Sequence, residues 1–453
     1  MGFTDNMLDK LDAIAATSAK KDKQALVATM DKDEQWVLKA ALDPTVTYYV
    51  ANLKLPDTAF GSDQWGAPEW ELLDNLKTRR LSGDAAHQAI GFHMRELTPK
   101  SAELLRRVIN KDLRCGIGAG TVNAAFPGLI PDFPYMRCSL PKDSSMKGWD
   151  WSQGMISQLK ANGMFARVDV DEDCNVTVSS RQGNTFYKGA LGALEGKLGK
   201  LQPGFQYHGE LTLYENHCVE VMRRSEANGI LNSLLVGEKE LPDNVTVMFD
   251  VWDCIPLVSA VVKGKYTQPY VSRFNQLIGF VQEVNDPQVQ IIENEIVYSY
   301  AEAMAHYKKV LARGLEGTVV KHPQAIWKDG DSKDQVKLKL EVDVDLKIVG
   351  FKPGTPGTRT EHTFGSVVLR SADDKLEVSA AGFKRDMEQY LHENRDSVLG
   401  MIMAVRANEV SPPCDTNELY SLYHPRAIEL RRDKVEADTL ERVLAQFEAA
   451  VAA

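Results

Sequence analysis

No stretch of the chain approaches the ~18 consecutive apolar residues that a membrane-spanning helix requires. Cysteine is sparse and scattered. Cys115, Cys138, Cys174, Cys218, Cys254 and Cys414 form no Cys-x-x-Cys pair and no Cys/His cluster. That speaks against a structural zinc module and a disulfide framework, and for a reducing, cytoplasmic setting. The opening MGFTDNMLDK lacks the basic and apolar regions of a secretory signal, and Asn6 stands where a myristoylation motif at Gly2 wants Ser or Thr. Positive charge is not in excess either: 53 Lys+Arg face 63 Asp+Glu, a net −10, so nucleic-acid binding would need a local basic cluster. What remains is ordinary globular material, 453 residues of which 43% are hydrophobic, enough for two to four domains.

Residues 1 to about 135 read as helical. Met7, Leu8, Leu11 and Ile14 recur at helical spacing. A helix beginning at Ser101 as N-cap carries an apolar stripe of Leu104, Leu105, Val108 and Ile109. A second stripe, Arg106, Arg107, Asn110, Lys111 and Arg114, lies about 200° away and supplies the local basic cluster. From residue 100 to 142 seven Lys and Arg face three acids, a local +4. The turn Cys115-Gly-Ile-Gly-Ala-Gly120, with Gly116 and Gly118, precedes Thr121 as a second N-cap, an arrangement that exposes backbone N–H groups to phosphate.

Residues 131–154 have linker composition. Residues 164–170 and 176–180 then alternate as a β-hairpin. Strands and helices mix to about 345. Beyond that, short strands at 346–351, 365–370, 375–380 and 398–406, followed by a helix near 425–447, suggest a small β-barrel.

Five segments occur in order: Lys160-Ala-Asn-Gly163, Ser180-Arg-Gln-Gly183, His208-Gly-Glu-Leu211, Glu316-Gly-Thr-Val-Val-Lys321 and Lys337-Leu-Lys339. The aromatic run Val247-Met-Phe-Asp-Val-Trp-Asp253 lies between the third and fourth. The ordered set resembles the covalent nucleotidyltransferase superfamily of polynucleotide ligases and RNA-capping enzymes. Leu105-Arg-Arg-Val, Lys111-Asp-Leu-Arg-Cys-Gly116, Pro127-Gly-Leu-Ile-Pro131, Ala227-Asn-Gly-Ile-Leu-Asn232, the run from Gln335 to Gly350, and Ala427 to Lys434 extend the resemblance to the ATP-dependent DNA ligases of T-even bacteriophages.

The resemblance implies a multidomain α+β chain. Residues 1–135 would form a helical DNA-binding domain, 136–345 a mixed α/β nucleotidyltransferase (ATP-grasp-like ligase) domain, and 346–453 an OB-fold β-barrel. It implies ATP and Mg²⁺ as cofactors, nicked double-stranded DNA as partner, a monomer away from membranes, and the cytoplasm of a bacterial host if the chain is viral. The implied chemistry is nick sealing through a covalent lysyl-AMP and an adenylated-DNA intermediate.

On this resemblance Lys160 is the nucleophile, which must react as the neutral amine, a form that nearby cations favour. Lys337 and Lys339 alternate on a strand about 6.5–7 Å apart and would hold phosphate oxygens. Glu210 and Glu316 are the carboxylates for Mg²⁺, with ribose as the alternative for Glu210. Gln158 would read the base edge. Phe249 would stack on adenine, with Trp252 in the core. Arg181 would hold a phosphate or ribose near the nick, and Arg431 and Lys434 of Arg-Arg-Asp-Lys would orient pyrophosphate. Arg106, Arg107, Lys111, Arg114, Gly116 and Gly118 are the candidate DNA contacts.

Three departures stand out. The related ligases carry Lys-x-Asp-Gly-x-Arg, whereas this chain has Asn162 for the acid and Phe165 for the arginine, and His208 replaces Asp before Gly-Glu. Arg167, on the same side of a strand as residue 165, is the candidate substitute. The alternatives to a DNA ligase are an RNA ligase or capping enzyme and a non-catalytic nick-binding protein. The four-cysteine module of NAD-dependent ligases is missing.

Overall fold

The computed structural model describes residues 3–50, 53–56, 60–215, 221–237, 239–354, 360, 362–413 and 417–452. Gly2, Cys218 and Cys414 lie outside them. The chain divides into two compact units, 1–303 with 319–337 and 304–318 with 338–453.

The first unit begins with helices α1 (Phe3–Ala16), α2 (Lys20–Ala28), α3 (Lys32–Leu42), α4 (Ala67–Lys77), α5 (Gly83–Glu96), α6 (Pro99–Ile109) and α7 (Ala119–Ala125). They share one apolar core, to which α6 contributes its whole stripe of Leu104, Leu105, Val108 and Ile109. The helix starts earlier than expected. Thr98, not Ser101, is the N-cap: its hydroxyl accepts from the Ser101 N–H, and Ser101 is buried. Gly118, not Thr121, caps α7.

The stretch 131–154 is more than linker, since it holds β1 (Met136–Ser139) and three short 3₁₀ turns. There follow β2 (Met155–Leu159), β3 (Met164–Val170), β4 (Val176–Ser179), α8 (Ala193–Leu198), β5 (Phe205–Glu215), α9 (Arg224–Val236) and β6 (Val245–Pro256). After these come β7 (Lys265–Tyr266), α10 (Tyr270–Val284), β8 (Val289–Ile291), β9 (Asn294–Val297), α11 (Tyr300–Ala312), β10 (Gly317–Lys321), β11 (Trp327–Lys328) and β12 (Gly330–Lys339). Two five-stranded sheets result, ordered β1-β12-β10-β2-β9 and β4-β3-β5-β6-β8. In the second, strand alternation sends Val168, Val170, Tyr207, Leu211, Val247, Phe249 and Val251 into a core with Leu231, Leu234, Phe274 and Leu277 of α9 and α10.

The second unit takes most of α11 and the start of β10, and contains β13 (Val342–Lys352), β14 (Ser366–Arg370), β15 (Glu377–Ala380), α12 (Arg385–Glu393), α13 (Arg395–Val398), β16 (Ile402–Ala407), β17 (Glu409–Ser411), β18 (Ser421–Tyr423), β19 (Arg426–Arg431) and α14 (Leu440–Ala452). The helix expected near 425–447 is therefore a strand followed by a later helix. Residues 398–401, read as strand, lie outside β16. The main sheet runs β15-β14-β13-β16-β19. Among the described residues no ladder closes it, and a parallel bridge, Ala381 to Arg426, links its two edges.

Candidate active site

Lys160 follows β2 and stands at the start of the tight connection to β3, half-buried. Glu210 of β5 holds this connection: the Gly163 N–H donates to Glu210 Oε1 at 3.2 Å. A side chain at 163 is sterically excluded, because its Cβ would fall 2.1 Å from the Leu211 carbonyl oxygen. Register places Phe165 opposite Glu210. Upstream, Gln158 is 2% exposed and donates to the Tyr270 hydroxyl at 2.8 Å, which donates in turn to the Trp252 carbonyl at 2.6 Å.

The Cys138 thiol of β1 marks where the cations gather. Burial pushes its pKa up, and Lys321, Lys337, Lys160 and Arg181 all act on it in the opposite direction. Lys321, which ends the Glu316–Lys321 segment, is 4% exposed and donates to the Tyr270 hydroxyl at 3.1 Å. Its ammonium lies 4.5 Å from the Tyr270 ring centre and 5.8 Å from that of Trp252. Burial lowers its pKa to about 8, against the opposing pull of Asp253. Lys337 is half-buried between the buried Val336 and Leu338, as its alternation requires.

The two aromatic candidates of β6 fall on opposite sides. Phe249 has no exposed surface and packs in the core, where a Cβ on Gly209 would meet its ring at 2.4 Å. Trp252 is half-buried on the other face, 6.0 Å from Phe165 between ring centres.

Of the arginines, Arg167 is 6% exposed and held by structure. It donates to the Ser179 hydroxyl at 2.9 Å, lies 3.8 Å from Asp169, and stacks on Phe133 at 4.5 Å. Arg181 is exposed, its guanidinium 4.7 Å from the Tyr135 ring centre and 5.9 Å from that of Phe165. His208 Nε2 faces Gln206 Oε1 at 2.8 Å and so carries the proton, and Gln206 donates onward to Asp169 at 2.7 Å. Asn162 Oδ1 is buried with no hydrogen-bond partner.

In the second unit, Glu316 is half-buried just before β10. Lys339 pairs with Glu341 at 3.0 Å, and Glu341 with Arg426 at 2.6 Å. Arg431, at the end of β19, makes a bidentate pair with Asp433 (2.9 and 2.7 Å) and reaches Asp345 at 3.3 Å. Lys434 donates to the same Asp345 carboxylate.

The basic stripe of α6 is partly used up internally. Arg106 forms a bidentate pair with Glu103, and Arg107 contacts Glu103 and Asp12. Lys111 donates to the Asp43 carbonyl at 2.5 Å and lies over Tyr48, with its pKa lowered to about 8 by burial. Arg114 remains exposed. Arg106, Lys111 and Arg114 line a cleft of about 560 Å³ with Tyr48, Tyr49 and Lys54. At the glycine turn, Lys23 donates to the Cys115 carbonyl at 2.6 Å and lies 3.0 Å from where a Gly116 Cβ would stand. Gly118 begins a helix of only seven residues.

No local sequence pattern singles out Tyr135, Cys138 or Tyr270, whereas Lys321 closes the Glu316–Lys321 motif. Among the described residues no three His, Cys, Asp or Glu side chains gather as a metal cage, and no helix is long and apolar enough to cross a membrane.

Residues 145–339 match the family described as ATP dependent DNA ligase domain. The chain is 29% identical to the DNA ligases of Enterobacteria phages T4 and T6, over 97% of its own length and 99% of theirs. Among solved structures, "Pmar-Lig_PreS3" shares the fold with a TM-score of 0.69 at 20% identity, covering 95% of this chain and all of that one. Residues 145–339 thus carry an ATP-dependent DNA ligase domain, in a chain similar along nearly its whole length to phage DNA ligases.

Proposed function

We propose that this ligase seals 5′-phosphate/3′-hydroxyl nicks in duplex DNA with Lys160 as its nucleophile. The observation that carries the assignment is Lys160 at the start of a connection pinned by Glu210, with the buried Lys321 ammonium seated between the Tyr270 hydroxyl and the Trp252 ring. The neutral Lys160 amine attacks the α-phosphorus of ATP. A P–N bond forms, the P–O bond to pyrophosphate breaks, and Lys321 and Lys337 stabilise the charge that builds on the leaving group. An oxygen of the DNA 5′-phosphate then takes the AMP from Lys160, and the 3′-hydroxyl finally displaces AMP as the strand closes.

In this reading Trp252, rather than Phe249, lies against the adenine, because it alone of the two faces the cations. Gln158 reads the base edge through the polar atoms it does not share with Tyr270. Lys337 of the first unit and Lys339, Arg431 and Lys434 of the second are the candidates for phosphate oxygens. Glu210 and Glu316 are each a hard oxygen donor of the kind Mg²⁺ takes beside water and phosphate oxygens; when bound, Mg²⁺ would supply charge neutralisation of the triphosphate.

Residues 1–135 have their own apolar core and serve as the DNA-binding domain, and the last hundred residues as an OB-fold. The strand order, the helices between β15 and β16, and the edge bridge from Ala381 to Arg426 support the latter. The protein acts as a monomer in this reading.

Incubation with ATP labelled at the α-phosphate and Mg²⁺ should label the protein, and Lys160→Ala should abolish the label while the variant remains folded. Labelling that survives in Lys160→Ala would overturn the assignment, and a folded wild type that takes up none would favour a nick-binding clamp.

A further inference from the structure

Phe165 puts a ring, not a charge, two residues after the glycine of the Lys160–Gly163 connection. Arg167, on the same side of β3, is 6% exposed and committed to Ser179, Asp169 and Phe133. Another guanidinium reaches Phe165. Arg181 extends from the turn after β4 and lies on two aromatic rings, Tyr135 at 4.7 Å and Phe165 at 5.9 Å. The two rings support each other edge-to-face, 4.8 Å apart at 73°.

The seat is rigid. The Tyr135 N–H donates to Asp329 Oδ1 at 3.0 Å, and its carbonyl accepts from the Gly330 N–H at 3.0 Å. The turn bearing Arg181 is closed by Gly183 N–H donating to the Ser180 carbonyl at 2.9 Å. Gly183 has a positive φ of 91°, and a Cβ there would sit 2.0 Å from the Phe133 ring. Phe133 and Tyr135 thus fasten the turn from one side: one ring fills the space over Gly183, the other carries Arg181. Register keeps Phe165 opposite Glu210, so the seated guanidinium belongs to the Lys160–Glu210 end of the sheet.

We propose that Tyr135 is a positioning residue whose ring, backed by Phe165, seats Arg181 so that its guanidinium is held ready for the 5′-phosphate of the nick. A guanidinium on an aromatic face keeps its outward N–H donors free while its long side chain loses freedom before substrate arrives. The inference rests on the proposed nick-sealing function, and its test is arranged so that the two fail separately.

The direct readout is binding of the full chain to two nicked duplexes, one with a 5′-phosphate and one with a 5′-hydroxyl, which needs no turnover. Tyr135→Leu should reduce the preference for the phosphate about tenfold, Arg181→Ala at least as much, and the double variant no more than Arg181→Ala. Tyr135→Phe keeps the ring and should behave as wild type. In single turnover, Tyr135→Leu should slow AMP transfer to the 5′-phosphate by a similar factor and leave self-adenylation unchanged, which also shows that the variant is folded. Losses that multiply in the double variant, a Tyr135→Phe as impaired as Tyr135→Leu, or an unaltered phosphate preference would overturn the inference. A wild type that prefers the phosphate yet never takes up AMP would instead overturn the sealing function and leave the seat standing.

Discussion

Arg273 meets Asp253 through two parallel hydrogen bonds, Nε to Oδ1 at 2.9 Å and Nη2 to Oδ2 at 2.8 Å, with neither side chain more than 4% exposed. Its remaining nitrogen donates to the Gln268 and Ala325 carbonyls at 2.6 and 3.0 Å. Burial raises the cost of the Asp253 charge, but Arg273 outweighs it and holds the carboxyl below its ordinary range. The pair ties α10 to β6.

Arg273→Ala leaves that carboxylate buried without its partner, and the expected cost is about 3–5 kcal/mol of folding stability. Guanidinium unfolding monitored by tryptophan fluorescence measures it. A loss below about 1 kcal/mol would mean that the pair behaves like a surface bridge.

His208 gives a pH signature. Burial pulls its pKa down to about 4, with Asp253 opposing, while in the unfolded chain it titrates near 6.5. Between those values the unfolded state takes up a proton that the folded state refuses. The stability this site contributes is therefore complete above pH 6.5 and falls as pH drops toward 4, by up to about 1.4 kcal/mol per pH unit. Below pH 4 both states are protonated and the loss stops. Denaturation midpoints at pH 7, 6 and 5 should decline more steeply for wild type than for His208→Gln; parallel curves would refute the assignment.

Asp345 holds both cations of the C-terminal motif. Two like charges converge on one carboxylate, and the backbone N–H of Asp345 donates to Asp438 Oδ2 at 2.9 Å. Removing the carboxylate charge lets Arg431 and Lys434 spread apart. Asp345→Asn should slow self-adenylation about tenfold, the worth of one charge-assisted hydrogen bond. Sealing of a chemically pre-adenylated nick, which needs no pyrophosphate, should be spared. Rapid-quench assays of the two steps check this, and equal losses in both would assign Asp345 a purely structural part.

How much of this was legible beforehand depends on which physical rule was applied. Strand alternation alone puts Phe249 with Val245, Val247 and Val251 on the core face and Trp252 on the other, so aromatic identity was the poorer guide. The same rule reads Glu341, Asp343 and Asp345 as one polar row between Val342, Val344 and Leu346, and the structure pairs each acid with a cation. Charge on a helix was less informative. Arg106, Arg107 and Lys111 occupy the predicted stripe, yet Glu103, Asp12 and the Asp43 carbonyl claim them, and those partners come from the same helix and from distant chain. Thr98 competed with Ser101 for the cap and won because Pro99 and Lys100 extend the helix by a turn. Tyr135 carried no local signal. It lies in a stretch of linker composition, and its importance comes from Asp329 and Arg181, which only the fold brings to it.

Gly163 is the most exacting backbone position at the nucleophile. An added methyl would stand 2.1 Å from the Leu211 carbonyl oxygen and 3.0 Å from Glu210 Cγ. The first obstacle is strand backbone inside a sheet and cannot swing aside, so the loop itself must move, and with it both Lys160 and the hydrogen bond to Glu210. An in-line attack on phosphorus tolerates little displacement, and a shift of about 1 Å costs on the order of a hundredfold. Gly163→Ala should therefore lower the self-adenylation rate by roughly that factor, with a stability loss of only about 1–3 kcal/mol from overpacking. Sealing of a pre-adenylated nick also uses Glu210 but not the Lys160 amine, so it should fall less. The comparison of the two rates, made at a temperature where circular dichroism shows the variant folded, decides the matter: equal activity to wild type in both steps would mean that the loop has room the structure denies it.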